Sequence, residues 1–182
     1  EATKRIDAAL SMLGNLLEWS KSQLVGLKPF VEEFSAELFM RELIDQVQYQ
    51  AALKGVPLKW EVAPTMLCHA DRHMLRTTAY NLISNAIKFR STDKRPVINV
   101  TVEQQNGKVL FKVQDNGIGL DMKYAQQIFQ IFNRLHTTDK YQGSGIGLAL
   151  CKKIIERHNG NIWVESKPQV GTSVYFTLAA VS

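Results

Sequence analysis

Several features that mark specialised classes of protein are scarce in this 182-residue sequence. Cysteine occurs only at Cys68 and Cys151, without a Cys-x-x-Cys motif or a zinc-ligand cluster, so a disulfide framework and a structural zinc site are excluded. Glycine (11) and proline (5) are too few for a collagen-like or low-complexity chain. The longest uncharged apolar run, residues 174–181, is far shorter than the about 18 residues that a membrane span needs.

Runs of like charge are also missing. Lysine and arginine exceed aspartate and glutamate by 22 to 17, a net charge of +5, but basic residues never occur more than two in a row. We therefore expect a mildly cationic surface, with no nucleic-acid partner and no direct membrane contact. The free cysteines and the missing signal peptide favour a cytoplasmic location, and the start at Glu1 suggests a fragment.

What the sequence does contain is a 45% hydrophobic fraction arranged in helical and strand-like periods. Residues 2–25 follow a three- and four-residue apolar spacing that predicts one long helix, ended by Gly26 and Pro29. The linker there divides the chain into residues 1–27 and a globular domain over residues 28–182.

Helices and strands are mixed within the second domain. Ser35 is predicted to cap a helix, and Asn106–Gly107 is the strongest hairpin signal. This mixture predicts a two-layer α/β sandwich, in which a mixed sheet of about five strands carries three helices on one face. The predicted strands are residues 30–34, 58–62, 97–102, 109–113, 162–165 and 173–178, and the predicted helices are residues 36–54, 70–90, 121–133 and 145–158.

The first of three polar segments lies on the helix predicted over residues 70–90. Asn81, Asn85 and Lys88 stand at positions i, i+4 and i+7, so they project from one face. Two carboxamides and an ammonium suit an anion that brings a hard cation, with an amide oxygen on Mg²⁺ and the lysine on a phosphate. An ordinary solvated helix face is the alternative that this segment alone leaves open.

The second segment, Asp115-Asn-Gly117-Ile-Gly119, directly follows a predicted strand. Two glycines around one apolar residue allow the backbone to approach a flat ligand. A carboxylate at the strand end can accept a hydrogen bond from an exocyclic amine such as N6 of adenine. An aspartate-initiated turn without a ligand is the alternative.

The third segment is the glycine-rich stretch Gly143-Ser-Gly145-Ile-Gly147-Leu148, which opens the last predicted helix. Its backbone amides and the helix N-terminus are suited to cradle a phosphate. It lacks the Gly-Lys-Ser/Thr of a P-loop and does not follow a strand as in a Rossmann unit. The preceding polar residues 135–142 are predicted to form a mobile lid over a nucleotide.

In order and spacing, these segments resemble the catalytic and ATP-binding domain of the sensor histidine kinases. That family shares a superfamily with type II topoisomerases, heat-shock chaperones and mismatch-repair ATPases. The resemblance covers residues 28–180 and includes a Phe-x-x-Phe box at residues 129–132. Residues 1–27 resemble the second helix of the family's dimerisation and phosphoacceptor hairpin. The resemblance implies the Bergerat ATP-binding fold, ATP and Mg²⁺ as cofactors, a homodimer, and a response-regulator receiver domain as partner.

The resemblance also implies a role for each matching residue. Asn85 would ligate Mg²⁺, Lys88 would contact the phosphates, and Asp115 would hold the adenine amine. Gly117 and Gly119 would admit the purine. The phosphate end of the lid would be shaped by Gly143, Gly145, Gly147 and Leu148. The lid's anchoring box would include Phe129, Phe132 and Arg134, with Arg134 near the γ-phosphate; the two phenylalanines are alternatively plain core residues at positions i and i+3.

Asn81 distinguishes a kinase from a hydrolase. The superfamily's hydrolases typically carry a glutamate four residues before the metal asparagine, where it activates water as a general base. A carboxamide has no basic lone pair at neutral pH, so Asn81 disfavours hydrolysis and favours transfer to an imidazole. Asn81 would then orient the reacting group by hydrogen bonding.

None of the four histidines has the His-Glu/Asp-x-Arg-Thr-Pro context of the family's phosphoacceptor. We therefore expect the acceptor on an upstream helix, with ATP binding but no autophosphorylation in residues 1–182. His69 and His73 are predicted to be a surface pair rather than a zinc site. A non-catalytic nucleotide-sensing scaffold and an ATP hydrolase of the same superfamily stay open as alternatives, with nucleic-acid binding a distant third.

Overall fold

The structure is a computed structural model that describes Gly14, residues 28–133 and residues 145–179. Apart from Gly14, which is helical, the helix predicted over residues 2–25 lies outside the described residues, and so does most of the proposed 1–27 domain. Arg134 and Gly143 also lie outside them.

Three helices and seven strands make up the described domain, together with two short 3-10 turns. Among these helices, none combines the length and the apolarity that crossing a bilayer requires. The helices are α1 (Ala36–Leu53), α2 (Arg72–Lys88) and α3 (Gly147–Arg157). The strands are β1 (Glu32–Ser35), β2 (Leu58–Val62), β3 (Leu67–Ala70), β4 (Ile98–Gln105), β5 (Lys108–Asp115), β6 (Ile162–Lys167) and β7 (Gly171–Ala179).

Five strands form the main sheet in the order β2-β4-β5-β7-β6. β2 and β4 pair in parallel, and the other neighbours pair antiparallel. The β4–β5 hairpin turns at Asn106 and Gly107, whose φ angles of 51° and 71° are those of a left-handed two-residue turn. The predicted two-layer sandwich with a mixed five-stranded sheet is confirmed.

The core lies between one face of this sheet and the helices. Alternate residues of each strand point inward because side chains in a strand have a period of two. Phe111 of β5 stacks on Phe176 of β7, with ring centroids 4.5 Å apart. Helices contribute a buried stripe that includes Phe39 and Leu43 of α1 and Leu82 of α2.

Side-chain caps fix where α1 and α2 begin. The Leu38 backbone N–H donates to Ser35 Oγ at 3.3 Å, which confirms the predicted cap. Asp71 caps α2 by accepting from the Met74 backbone N–H at 3.0 Å. Its own backbone N–H donates to His158 Nε2 at 2.9 Å, so the buried imidazole joins the start of α2 to the end of α3.

One expectation from periodicity was wrong, and one strand was predicted slightly too early in the chain. The helix predicted over residues 121–133 is instead a pair of 3-10 turns, Met122–Tyr124 and Gln127–Phe129, because the backbone becomes extended at Gln130 and takes a positive φ of 61° at Phe132. The strand predicted at residues 30–34 is shifted to β1. It pairs with β3, which was not predicted, in a separate two-stranded sheet.

Candidate functional site

Asp115 ends the inward-facing row of β5. Val109, Phe111 and Val113 precede it at intervals of two and are all buried, so the carboxylate takes the next place in a row of core side chains. Its Oδ1 accepts from the Gly117 backbone N–H at 2.7 Å. Burial raises the pKa of Asp115 from 3.8 to about 6, although hydrogen bonds from backbone N–H groups and the charge of a nearby lysine oppose the shift. A carboxylate held at a half-buried edge can recognise a hydrogen-bond donor of a ligand.

Thr172 lies directly across from this carboxylate. The register pairs Asp115 with Thr172 of β7, and the Thr172 backbone N–H is a second donor to the aspartate. The Thr172 hydroxyl lies 2.9 Å from Ser166 Oγ of β6, which makes a polar row across the sheet end. Neither hydroxyl carries a signal in the local sequence, because only the strand register brings Thr172 and Ser166 into line with Asp115.

Close backbone packing explains the two glycines after Asp115. A methyl group at Gly117 would overlap the Phe89 carbonyl oxygen at the end of α2. At Gly119, where φ is 65°, it would overlap the Lys167 carbonyl oxygen at the end of β6. The glycines thus let the loop pack closely between α2 and the β6–β7 hairpin.

The polar face of α2 is formed as predicted. Asn81, Asn85 and Lys88 are all half-buried and lie on one side of the helix. The Asn81 carboxamide donates to the Thr77 carbonyl oxygen at 2.8 Å, so its nitrogen is engaged within the helix. The Lys88 ammonium lies 4.5 Å from the centroid of the Phe89 ring. The Asn81 carboxamide therefore bonds within the helix, and Asn85 lies about one turn further along the same face.

The start of α3 faces this stripe. A Cβ atom at Gly147 would lie 2.8 Å from Asn81 Oδ1, so the first turn of α3 directly abuts α2. The N-cap position is Ile146, whose apolar side chain accepts no hydrogen bond from the first turn. Gly145 before it has a φ of 71°, which a glycine adopts without strain. The first N–H groups of an uncapped helix are a site for an anion.

The two ends of the site are joined by α2. Its Asn81 end abuts α3, and its Phe89 end abuts the loop after Asp115. Eight residues at 1.5 Å each separate Asn81 from Phe89, which is about 12 Å along the helix axis. The result is an elongated site with a carboxylate at one end and an uncapped helix N-terminus at the other.

The remaining predicted residues in the described part of the chain differ in how exposed they are. Phe129 is half-buried, but Phe132 is 65% exposed, so the alternative of a core residue is wrong for Phe132. His69 and His73 are both exposed, and the described residues contain no cluster of three or more His, Cys, Asp or Glu side chains that could hold a metal. Leu148 is half-buried in the first turn of α3.

Comparison with known sequences agrees with this geometry. Residues 70–182 match the model of the family described as histidine kinase-, DNA gyrase B-, and HSP90-like ATPase. Cyanobacterial phytochrome A of Nostoc sp. is 37% identical over 97% of the chain and 22% of its own length. The phytochrome-like protein Cph1 of Synechocystis sp. is 48% identical over 65% of the chain and 16% of its own length. The chain thus spans about a fifth of these relatives.

Solved structures share the fold. Full-length ShkA in complex with AMPPNP superposes with a TM-score of 0.84 at 23% identity, covering 97% of this chain and 37% of ShkA. The histidine kinase ThkA in complex with the response regulator protein TrrA superposes with a TM-score of 0.77 at 23% identity, covering 98% of this chain and 49% of that one. At these identities the likeness establishes the architecture alone.

Proposed function

The chain belongs to the histidine kinase-, DNA gyrase B-, and HSP90-like ATPase family as the ATP-binding catalytic domain of a sensor histidine kinase, and from this premise we propose how its residues divide the work on ATP. The adenine ring lies at Asp115 and the triphosphate lies between α2 and the N-terminus of α3. The γ-phosphoryl group passes to a histidine on an upstream helix of the parent protein, and then to an aspartate of a response-regulator receiver domain.

The observation that carries this assignment is the position of Asp115 at the end of a core-facing row. A half-buried carboxylate with two backbone donors keeps an oxygen available to accept from the adenine N6 amine. Gly117 and Gly119 let the loop after Asp115 pack tightly against α2 and the β6–β7 hairpin, which would hold in place the backbone beside a flat purine.

The phosphate end is supported by complementary charge. The uncapped α3 N-terminus supplies backbone N–H groups and the positive end of the helix dipole, and Lys88 supplies a positive charge on the facing stripe of α2. Fixed donors of this kind stabilise the charge that develops on a transferring phosphoryl group. Arg134 is proposed as a further phosphate contact, and Gly143 as part of the same loop.

The donor set suits Mg²⁺ bound together with a nucleotide. Asn85 offers one amide oxygen, and the described residues contain no acidic cluster that would hold a cation alone. Mg²⁺ commonly takes one or two protein oxygens and completes its shell with phosphates and water. When bound, the ion would neutralise phosphate charge, and Asn85 would hold it.

Helix α2 also bears on the choice between phosphotransfer and hydrolysis. It contains no Asp or Glu, and the Asn81 nitrogen is already bonded to the Thr77 carbonyl oxygen. The stretch of α2 that carries Asn81, Asn85 and Lys88 therefore offers no carboxylate to activate water, whereas an imidazole nucleophile needs little activation near pH 7. Steady phosphate release by the chain, lost in Asn85→Ala, would favour the hydrolase instead.

We expect Asn85→Ala to remove most of the gain in nucleotide affinity that Mg²⁺ gives. Calorimetric titration of AMPPNP with and without Mg²⁺ measures that gain, and losing a direct oxygen ligand should reduce it by roughly tenfold or more. Asn99→Ala is the matched control, because Asn99 is a half-buried asparagine of β4 on the row pointing away from the helices. Equal Mg²⁺ dependence in wild type and Asn85→Ala would contradict the metal assignment.

Transfer itself is tested in the parent protein. With the upstream helix present, we expect acid-labile phosphohistidine to form from ATP, and Asn85→Ala to abolish it while Asn99→Ala does not. Nucleotide binding without any phosphohistidine would favour the non-catalytic scaffold.

A further inference from the structure

Three segments that are distant in sequence meet around the Asp115 end of the site. They are the α2–β4 loop (residues 89–97), the Asp115 loop (residues 116–120) and the β6–β7 turn (residues 167–171). Hydrogen bonds connect each of these segments to the other two, so that together they form a closed ring.

The α2–β4 loop and the Asp115 loop are joined by backbone and side-chain bonds. The Ile118 backbone N–H donates to the Phe89 carbonyl oxygen at 3.0 Å. The Asn116 carboxamide donates to the Arg95 carbonyl oxygen at 2.9 Å and accepts from the Val97 backbone N–H at 2.9 Å. This side of the ring is held by a short polar side chain and a backbone contact.

The Asp115 loop is joined in turn to the β6–β7 hairpin. The Gln169 backbone N–H donates to the Ile118 carbonyl oxygen at 2.7 Å, and the Leu120 backbone N–H donates to Ser166 Oγ at 2.9 Å. Gln169 has a φ of 61°, a conformation that costs free energy for a non-glycine residue. The turn must therefore be held by its contacts with neighbouring segments.

Lys94 closes the ring. Its ammonium donates to the carbonyl oxygens of Gln169 at 2.9 Å and Val170 at 3.0 Å, across 75 and 76 residues of sequence. We propose that Lys94 is a positioning residue for adenine nucleotides, which acts by holding the β6–β7 turn against the loop that carries the purine. This inference rests on the nucleotide site of the proposed function and adds a residue that lies outside the motifs.

The same ammonium acts on the recognising carboxylate. Asp115 is flanked by the α2–β4 loop, the start of β7 and the end of β6. Of the charged side chains there, Lys94 is the one that lowers the Asp115 pKa, against the larger effect of burial. The others in these segments are Arg90, Asp93, Arg95, Glu165 and Lys167. Removing the ammonium should therefore raise the Asp115 pKa further above 3.8. Because the ionised carboxylate is the stronger acceptor for the adenine amine, tight binding would then need a higher pH.

We test this with Lys94→Met in the 182-residue chain, measuring AMPPNP affinity by calorimetry between pH 5.5 and 8. We expect affinity about tenfold weaker at pH 7, and the fall in affinity on acidification to begin at a higher pH than in wild type. Lys94→Arg keeps the charge and the donors and should restore both properties. Lys108→Met is the control, since Lys108 is an exposed lysine at the far end of β5 from Asp115.

A second variant covers the case in which Lys94→Met does not fold. Lys94→Gln keeps an uncharged donor and should show the same shift of the pH profile as Lys94→Met. Wild-type affinity together with a wild-type pH profile in either variant overturns the inference, and so does failure of Lys94→Arg to restore them. If wild type itself does not bind AMPPNP, the proposed nucleotide site fails instead, which is a distinguishable result.

Discussion

Replacing Asp115 by asparagine should abolish tight adenine binding without destabilising the ligand-free domain at pH 7. The amide still has an oxygen to accept from the Gly117 backbone N–H, but the charged acceptor for the adenine amine is lost. A hydrogen bond to a charged group contributes about 1.5–3 kcal/mol, so AMPPNP affinity should fall by roughly tenfold to a hundredfold in calorimetric titration.

The expected free energy of unfolding of Asp115→Asn follows from the pKa of Asp115. Because the folded-state value is about 6 and the ordinary value is 3.8, the folded chain binds the proton more tightly than the unfolded chain. Proton binding at Asp115 therefore adds to the free energy of unfolding in full below about pH 4, and this stabilisation is lost as the pH rises through about 6. The replacement asparagine carries no charge, so the free energy of unfolding of Asp115→Asn should match or exceed that of wild type at pH 7, by up to about 3 kcal/mol.

Asp121→Asn is the matched control for this pair of measurements. Asp121 is an exposed aspartate that caps a 3-10 turn six residues after Asp115, so its removal should leave nucleotide affinity unchanged. Wild-type affinity in Asp115→Asn would show that the adenine lies elsewhere. A melting temperature well below wild type at pH 7 would contradict the account of the buried charge.

Replacing Gly171 by alanine should strongly reduce the free energy of unfolding. Gly171 begins β7 with a φ of 145°, and an added Cβ would overlap the Asp115 carbonyl oxygen and lie 2.8 Å from the Asn116 Cα. Backbone strain and steric overlap each cost about 1–3 kcal/mol, so we expect a loss of about 3 kcal/mol or more in urea unfolding.

Gly107→Ala separates the two causes of that loss. Gly107 has a φ of 71° in the β4–β5 turn, but an added Cβ would meet no atom within 4 Å. It therefore carries only the cost of a positive φ, on the order of 1 kcal/mol. Equal losses in Gly107→Ala and Gly171→Ala would mean that the contact with Asp115 is relaxed at little cost.

The sequence predicts the parts of the fold whose pattern is local. The alternation of Val109, Phe111 and Val113 gives strand β5 and its inward face, and Ser35 gives the start of α1 through its hydroxyl cap. The hairpin at Asn106–Gly107 follows from the φ preferences of those two residues. In each case the free energy that decides the structure comes from neighbours in sequence.

Features that depend on tertiary contacts were not predictable in this way. β3 is only four residues long, and its exposed residues Leu67 and His69 alternate with buried Cys68 and Ala70. Its hydrophobic alternation is therefore too short to predict a strand. The stretch over residues 121–133 has helical spacing, yet Gln130 and Phe132 leave the helical region. Here packing overrides propensity.

Residues of the candidate site show the same difference between local patterns and tertiary contacts. The residues of α2 and the Asp115 loop were found because glycines and asparagines stand at fixed spacings. Thr172, Ser166 and Lys94 were not found, because they meet Asp115 or its loop only through strand register and a turn that lies far along the chain. The fold places these polar partners, whereas Asp115 itself is recognisable from the local sequence motif.

The closed ring around Asp115 has a consequence for the order of events during synthesis. Central strand β5 takes β7 as a neighbour, and the Asp115 loop is bonded to residues 166–171, so the β6–β7 segment of the ring is synthesised after the other two segments. Pairings across such long separations form slowly, because loop closure precedes any gain from contact. A nascent chain that ends before β7 carries all three polar segments of the sequence and still lacks one side of the ring around Asp115, so the proposed adenine end of the site forms only when β7 completes the five-stranded sheet.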